Sequence, residues 1–212
     1  MFRIAILVSG GGTNLQSIID KTKEKGFIEE VRIDIVIADR ECYGITRAQK
    51  ENIESYIVNR ENHKNDLSQV VDKVLSEKQI DLIVLAGFLS ILSEDFVKKW
   101  KKKIINTHPS LLPKFGGKGM FGLNVHRAVI NSGEKESGCT VHYVDAGVDS
   151  GEIINQKKVE VLRDDTPLTL QKKILAEEHI LLLETIDMII KRMREDKRWE
   201  ERWYRFTIRA GF

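Results

Sequence analysis

Only two cysteines occur in this 212-residue chain, Cys42 and Cys139. They lack metal-ligand spacing and the density of a disulfide scaffold, which argues against a cysteine-stapled secreted fold and fits a reducing cytoplasm. Long apolar runs are missing too. No stretch is long enough to span a bilayer, and Met1-Phe2-Arg3 leads into a strand pattern, not a signal peptide. Neither charge is in excess. A formal net charge of +2 makes no case for nucleic acid as the main partner. There is no internal repeat and no linker that suggests a second domain. The histidines (His63, His108, His126, His142 and His179) have no metal-ligand rhythm, so no metal is expected.

The composition is that of an ordinary globular protein, 42% hydrophobic and 31% charged, with length enough for a two-sided core. Short apolar runs alternate with helical patterns. Strands are expected at Ile4–Val8, Val31–Ala38, Ile53–Val58, Leu82–Ala86 and Ile104–Asn106. Between them lie helices around Leu15, Ile18 and Ile19, over 45–51, over Leu67–Lys78 and from about Glu94. This alternation predicts an α/β fold with a doubly wound, mostly parallel sheet and right-handed crossovers. A short helix (Val125–Asn131), two alternating strands (Cys139–Val144, Ile153–Val161) and a long amphipathic helix from Pro167 to about Arg194 follow.

Ligands of such sheets sit beyond the carboxyl ends of the strands. The loop Ser9-Gly10-Gly11-Gly12-Thr13-Asn14 reaches that rim between a strand and a helix, where free N–H groups favour an anion. It is neither the dinucleotide fingerprint nor a Walker loop. It is a phosphate-monoester site or a turn that binds nothing. Asn106 and His108, two apart on an extended chain, project to one side of the fifth strand. An amide and an imidazole together can hold a carbonyl oxygen and move a proton; taken alone, such a pair more often turns or caps. Asp149 lies in a Gly/Ser/Asp turn. It either fixes His108 in its charged form or, like Asp145, simply makes the turn. His142, beside Tyr143 on a strand, reads as structural. Gly116–Gly122 is a glycine-rich loop, either a lid that excludes water or a local variant.

Ser9-Gly10-Gly11-Gly12-Thr13-Asn14-Leu15-Gln16, Leu85-Ala86-Gly87-Phe88 with Ile91-Leu92-Ser93, Asn106-Thr107-His108-Pro109-Ser110-Leu111-Leu112-Pro113 and Val148-Asp149-Ser150-Gly151 occur in that order. In order and spacing the chain resembles the phosphoribosylglycinamide formyltransferases, folate-dependent enzymes of purine synthesis, over about residues 1–190. The resemblance implies a formyltransferase fold with a Rossmann-like N-terminal half; beyond it, residues 191–212 form a basic, aromatic tail with no counterpart in the family. It implies formyl transfer from 10-formyltetrahydrofolate to the glycyl amine of glycinamide ribonucleotide through a tetrahedral intermediate. Asn106, His108 and Asp149 match the catalytic trio. Gly12, Thr13 and Asn14 match the phosphate cradle, and Glu178 matches a ribose contact. Leu89, Ser90, Ile91 and Leu92 match one segment that clasps the pterin, and Asp145, Ala146, Gly147 and Val148 match the other. The implied partners are these small molecules alone, without nucleic acid or membrane, bound by a cytoplasmic monomer or homodimer.

Two departures from the family pattern stand out. Ser90 replaces the usual Arg of the folate loop, and Gly116–Gly122 is longer and richer in glycine. In the tail, Trp199, Trp203, Tyr204 and Phe206 suit packing or a subunit interface better than a nucleic-acid stripe. A formyl-folate hydrolase, an amino-sugar or methionyl-tRNA formyltransferase and a non-catalytic binding module are rival expectations. The first usually carries an N-terminal regulatory domain, the second needs a nucleotide-sugar site, and the third a longer basic C-terminal domain. Intact Asn106, His108 and Asp149 speak against the module.

Overall fold

A computed structural model describes the backbone of residues 1–24 and 31–210, with side chains described up to Glu195. Seven strands are β1 (Phe2–Val8), β2 (Val31–Ala38), β3 (Ser55–Ile57), β4 (Leu82–Leu85), β5 (Ile104–His108), β6 (Glu136–Tyr143) and β7 (Ile153–Glu160). Around them lie α1 (Thr13–Thr22), α2 (Tyr43–Lys50), α3 (Leu67–Ser76), α4 (Glu94–Lys99), α5 (Leu123–Ser132) and α6 (Pro167–Ala210). The strands form one sheet in the order β3-β2-β1-β4-β5-β6-β7. β1 to β5 pair in parallel, whereas β6 and β7 close the far side antiparallel. The expected doubly wound, mostly parallel sheet is therefore present.

Alternation of side chains explains the two layers of core. On β1, Ile4, Ile6 and Val8 point to one face, where Leu15 and Ile18 of α1 and Leu170, Ile174 and Leu182 of α6 cover them. Ala5 and Leu7 point to the other, against Val71 and Leu75 of α3 and Phe96 of α4. Strands buried on both faces read as unbroken apolar runs, which is why β1, β2 and β4 are plain in the sequence.

Element ends differ from expectation. Only Ser55–Ile57 of the third run pairs with β2. β6 starts at Glu136 because the antiparallel ladder continues to Glu136↔Glu160, past the apolar alternation. β5 continues to His108. The last helix continues past Arg194 to Ala210, so the expected boundary at 190 falls inside α6. The side chains of Trp199, Trp203, Tyr204 and Phe206, for which packing was expected, lie outside the described residues.

Strand order places the reversal of winding between β1 and β4, and the loops after these two strands meet there. The Ser9 N–H donates to the Gly87 carbonyl at 3.1 Å. The Ser9 hydroxyl in turn accepts the Leu89 N–H at 2.7 Å.

Candidate active site

Beyond these strand ends lies a cavity of about 750 Å³. Its wall includes Thr13, Asn14, Leu89, Ser90, Ile91, Leu92, Asn106, His108, Asp145, Ala146, Gly147, Val148, Asp149 and Glu178. One volume thus brings together nearly every residue singled out in the sequence. Gly12 is the exception, since it packs beneath the loop. Its φ is +68°, and a Cβ there would lie 2.8 Å from the Gly44 Cα of α2. The Gly44 N–H donates to the Gly10 carbonyl at 3.0 Å, and Arg47 Nε donates to the Gly11 carbonyl at 2.8 Å. Helix α2 therefore props the glycine loop from behind.

β5 delivers Asn106 and His108 to one side, as its period requires. His108 is buried, with Nδ1 3.4 Å from Asp149 Oδ2. Its Nε2–H donates to the Phe115 carbonyl at 2.8 Å, because a carbonyl can only accept. Asp149 holds a left-handed backbone (φ +55°), and its Oδ2 also accepts the Gly117 N–H at 3.0 Å. The turn that presents it is folded by Asp145, whose Oδ1 accepts the Gly147 N–H at 3.0 Å and the Ser150 hydroxyl at 2.8 Å.

Register adds a residue that strand position alone concealed. β6 sets His142 directly opposite Asn106. His142 Nδ1–H donates to the Tyr143 carbonyl at 2.9 Å, which leaves Nε2 bare to accept from Asn106 Nδ2 at 3.1 Å. Burial lowers the His142 pKa, and the bond to the Tyr143 carbonyl opposes this only in part, so the ring stays neutral. His142, read from the sequence as structural, plays that part at the site itself: it lines the cavity, holds the Asn106 amide and lies 3.8 Å from Asp149 Oδ1. Polar Thr140 and His142 at alternate positions on a buried strand were the available signal.

Residues 2–186 match the formyl transferase family. The chain belongs to that family. It is 39% identical to a phosphoribosylglycinamide formyltransferase of known structure from Anaplasma phagocytophilum, covering 90% of this chain and 87% of that one, with a TM-score of 0.81. Among curated relatives, the chloroplastic phosphoribosylglycinamide formyltransferase of Arabidopsis thaliana is 35% identical over 203 residues, 94% of this chain and 68% of that protein. The human trifunctional purine biosynthetic protein adenosine-3 is 40% identical over 88% of this chain. This chain spans only 18% of that protein's length.

In this member of the formyl transferase family, Ser90 stands where a cation was expected. Its hydroxyl donates to Asp39 Oδ2 at 2.6 Å. Burial would raise the Asp39 pKa, but hydrogen bonds from Arg40, Ser90 and Ser9 outweigh it and hold the carboxyl below its usual value. Ser90 thus braces the loop after β4 against Asp39 at the end of β2. At the other end, alternation sends Thr107 to the opposite face of β5, where its hydroxyl donates to Glu178 Oε1 at 2.9 Å. Burial pushes the Glu178 carboxyl up to about 7, against hydrogen bonds from Thr107 and Asn14. Asn14 Oδ1 is buried without a protein partner. An acceptor cannot serve a phosphate oxygen, but it can take a sugar hydroxyl. His126 of α5 also lines the wall, and burial, then the charge of His108, lowers its pKa to about 4. Among the described residues no group of His, Cys, Asp or Glu could hold a metal ion, and no helix is long and apolar enough to cross a membrane.

Proposed function

We propose that the protein is a phosphoribosylglycinamide formyltransferase of purine biosynthesis, moving formyl from 10-formyltetrahydrofolate to the glycyl amine of glycinamide ribonucleotide. The observation that carries this is the single cavity joining the glycine loop, the Asn106/His108/Asp149 group and the Leu89–Leu92 and Asp145–Val148 segments. Its volume is in the range of small-molecule sites, and apolar Leu85, Leu92 and Val97 on its wall suit a flat pterin.

The two anionic ligands enter from opposite ends. Backbone N–H groups of Thr13 and Asn14 on the wall are offered to the phosphate, with Gly12 shaping the loop beneath them and the α1 dipole aiding. Glu178 and Asn14 Oδ1 take the ribose hydroxyls. The amine then attacks the formyl carbon, forming a C–N bond and an oxyanion on a tetrahedral carbon. Asn106 has one Nδ2–H committed to His142 and offers the other to that oxyanion. The His108 Nε2–H bonds Phe115 in the described state, and the oxyanion competes with that carbonyl for it. Collapse breaks the bond from carbon to the folate nitrogen, and His108 relays the proton lost by the amine to that nitrogen. Asp149 orients the ring and stabilises its charged form. No step uses a metal. The protein acts in the cytoplasm on small molecules, not on nucleic acid or membrane, as a monomer or homodimer.

Formyl release from 10-formyltetrahydrofolate is measured with and without glycinamide ribonucleotide. Release that requires the ribonucleotide, with formylated product at one-to-one stoichiometry, is expected. Release without it identifies a hydrolase, and absence of release with folate still bound points to another amine acceptor.

A further inference from the structure

The cavity assigned to two anionic substrates is poor in positive charge. Among the described residues, Lys118 is the one Lys or Arg on its wall, alongside Asp145, Asp149 and Glu178. Nearby cations are already committed: Arg40 to Asp39, and Arg47 to the Gly11 carbonyl and Gln16. The Lys118 side chain is exposed and makes no ion pair or hydrogen bond among the described residues.

Lys118 does not hang from a random loop. The Met120 N–H donates to the Gly117 carbonyl at 3.1 Å, closing a four-residue turn with Lys118 and Gly119 at its centre. Gly119 has φ +86°, as the third position of a type II turn demands. Both ends of the turn are fastened. The Gly117 N–H is held by Asp149 Oδ2, and the Gly119 carbonyl accepts Asn124 Nδ2 at 3.2 Å. A Cβ at Gly117, Gly119 or Gly122 would meet nothing within 4 Å, so these glycines serve backbone conformation and not packing. The carboxylate that orients His108 therefore also fixes the base of the turn whose tip is Lys118.

Given the formyl transfer proposed above, on which this assignment rests, we propose that Lys118 is a substrate-binding residue whose ammonium pairs with a substrate oxyanion group. That group is the phosphate monoester of the ribonucleotide or the glutamate carboxylate of the folate. The glycine loop offers neutral donors, its N–H groups and the Thr13 hydroxyl, but no cation, while Asp145 and Asp149 repel an incoming anion. A lysine ammonium, a compact point charge on a flexible stem, offsets that repulsion without demanding one fixed geometry.

The test titrates glycinamide ribonucleotide and a folate separately onto the full chain, for wild type, Lys118→Met and Lys118→Arg. Charge-assisted hydrogen bonds of this kind are worth about tenfold or more in affinity. Lys118→Met is expected to lose that factor for one substrate, and Lys118→Arg to recover most of it. Loss for the ribonucleotide identifies the phosphate as partner. Loss for the folate, absent with a folate that lacks its glutamate, identifies the carboxylate. Unchanged affinity for both, or a loss that Arg does not restore, overturns the assignment. A wild type that binds through Lys118 yet transfers no formyl group refutes the reaction, not the site.

Discussion

His108 sits between two acceptors, with Asp149 Oδ2 3.4 Å from Nδ1 and the Phe115 carbonyl 2.8 Å from Nε2, so both ring nitrogens are held in place. Removing one oxyanion donor typically costs about 2.7–4 kcal/mol of barrier. His108→Ala should therefore lower kcat by roughly 10²–10³-fold while ribonucleotide affinity stays near that of wild type. Near-normal kcat in a steady-state assay would take His108 out of the chemistry. Glu178 supports a prediction about pH. Its pKa rises from the ordinary 4.5 to about 7, so the folded state binds the proton more tightly than the unfolded chain. That stabilisation is complete below 4.5 and is lost as pH climbs to about 7, a swing on the order of 3 kcal/mol. Glu178→Gln keeps a neutral side chain at every pH. The melting temperature of wild type minus that of the variant should fall between these pH values and level off above them. A difference that stays flat or grows with pH would show that Glu178 is not held in this way.

At the scale of elements, the loop after β1 is shaped by what lies behind it. Gly12 has a left-handed backbone, and a Cβ there would strike the Gly44 backbone, which has no flexible end to yield. Gly10 and Gly11 are in open space, with no unusual φ. Gly12→Ala should cost about 1–3 kcal/mol, whereas Gly10→Ala should stay within about 0.5 kcal/mol. Denaturant titrations of the two variants compare these costs directly, and equal losses would show that the α2 contact does not shape the loop. The glycines and the helix that follows are legible in the sequence, but Gly44 and Arg47 as their support are not, because that contact forms only when β1 and β2 pair. β6 shows the same limit. Its apolar half was readable, whereas its true start at Glu136 and the facing of His142 with Asn106 depend on antiparallel register, which no single strand encodes. Asn106 and His108 escaped that limit, since one strand sets both directions.

Considered whole, the molecule is a two-sided α/β core closed by α6, and the question at this scale is where that core ends. Ile186, Ile189 and Ile190 are buried in the layer that covers β1, and Met193 packs against it. Burying one such side chain contributes about 1.5–3 kcal/mol. Losing several at once would exceed much of the roughly 5–15 kcal/mol that keeps a domain folded. The boundary at 190 comes from the reach of the family resemblance; helix propensity in the charged residues beyond carries α6 onward to Ala210, and so conceals it. Two truncations separate core from tail. A chain ending at Glu195 should melt within a few degrees of the full protein and keep formyl transfer. One ending at Glu184 removes Ile186, Ile189 and Ile190 and should fail to unfold cooperatively by calorimetry. If the longer truncate also loses its transition, residues 196–212 belong to the folding unit and the two-part division of the chain is wrong.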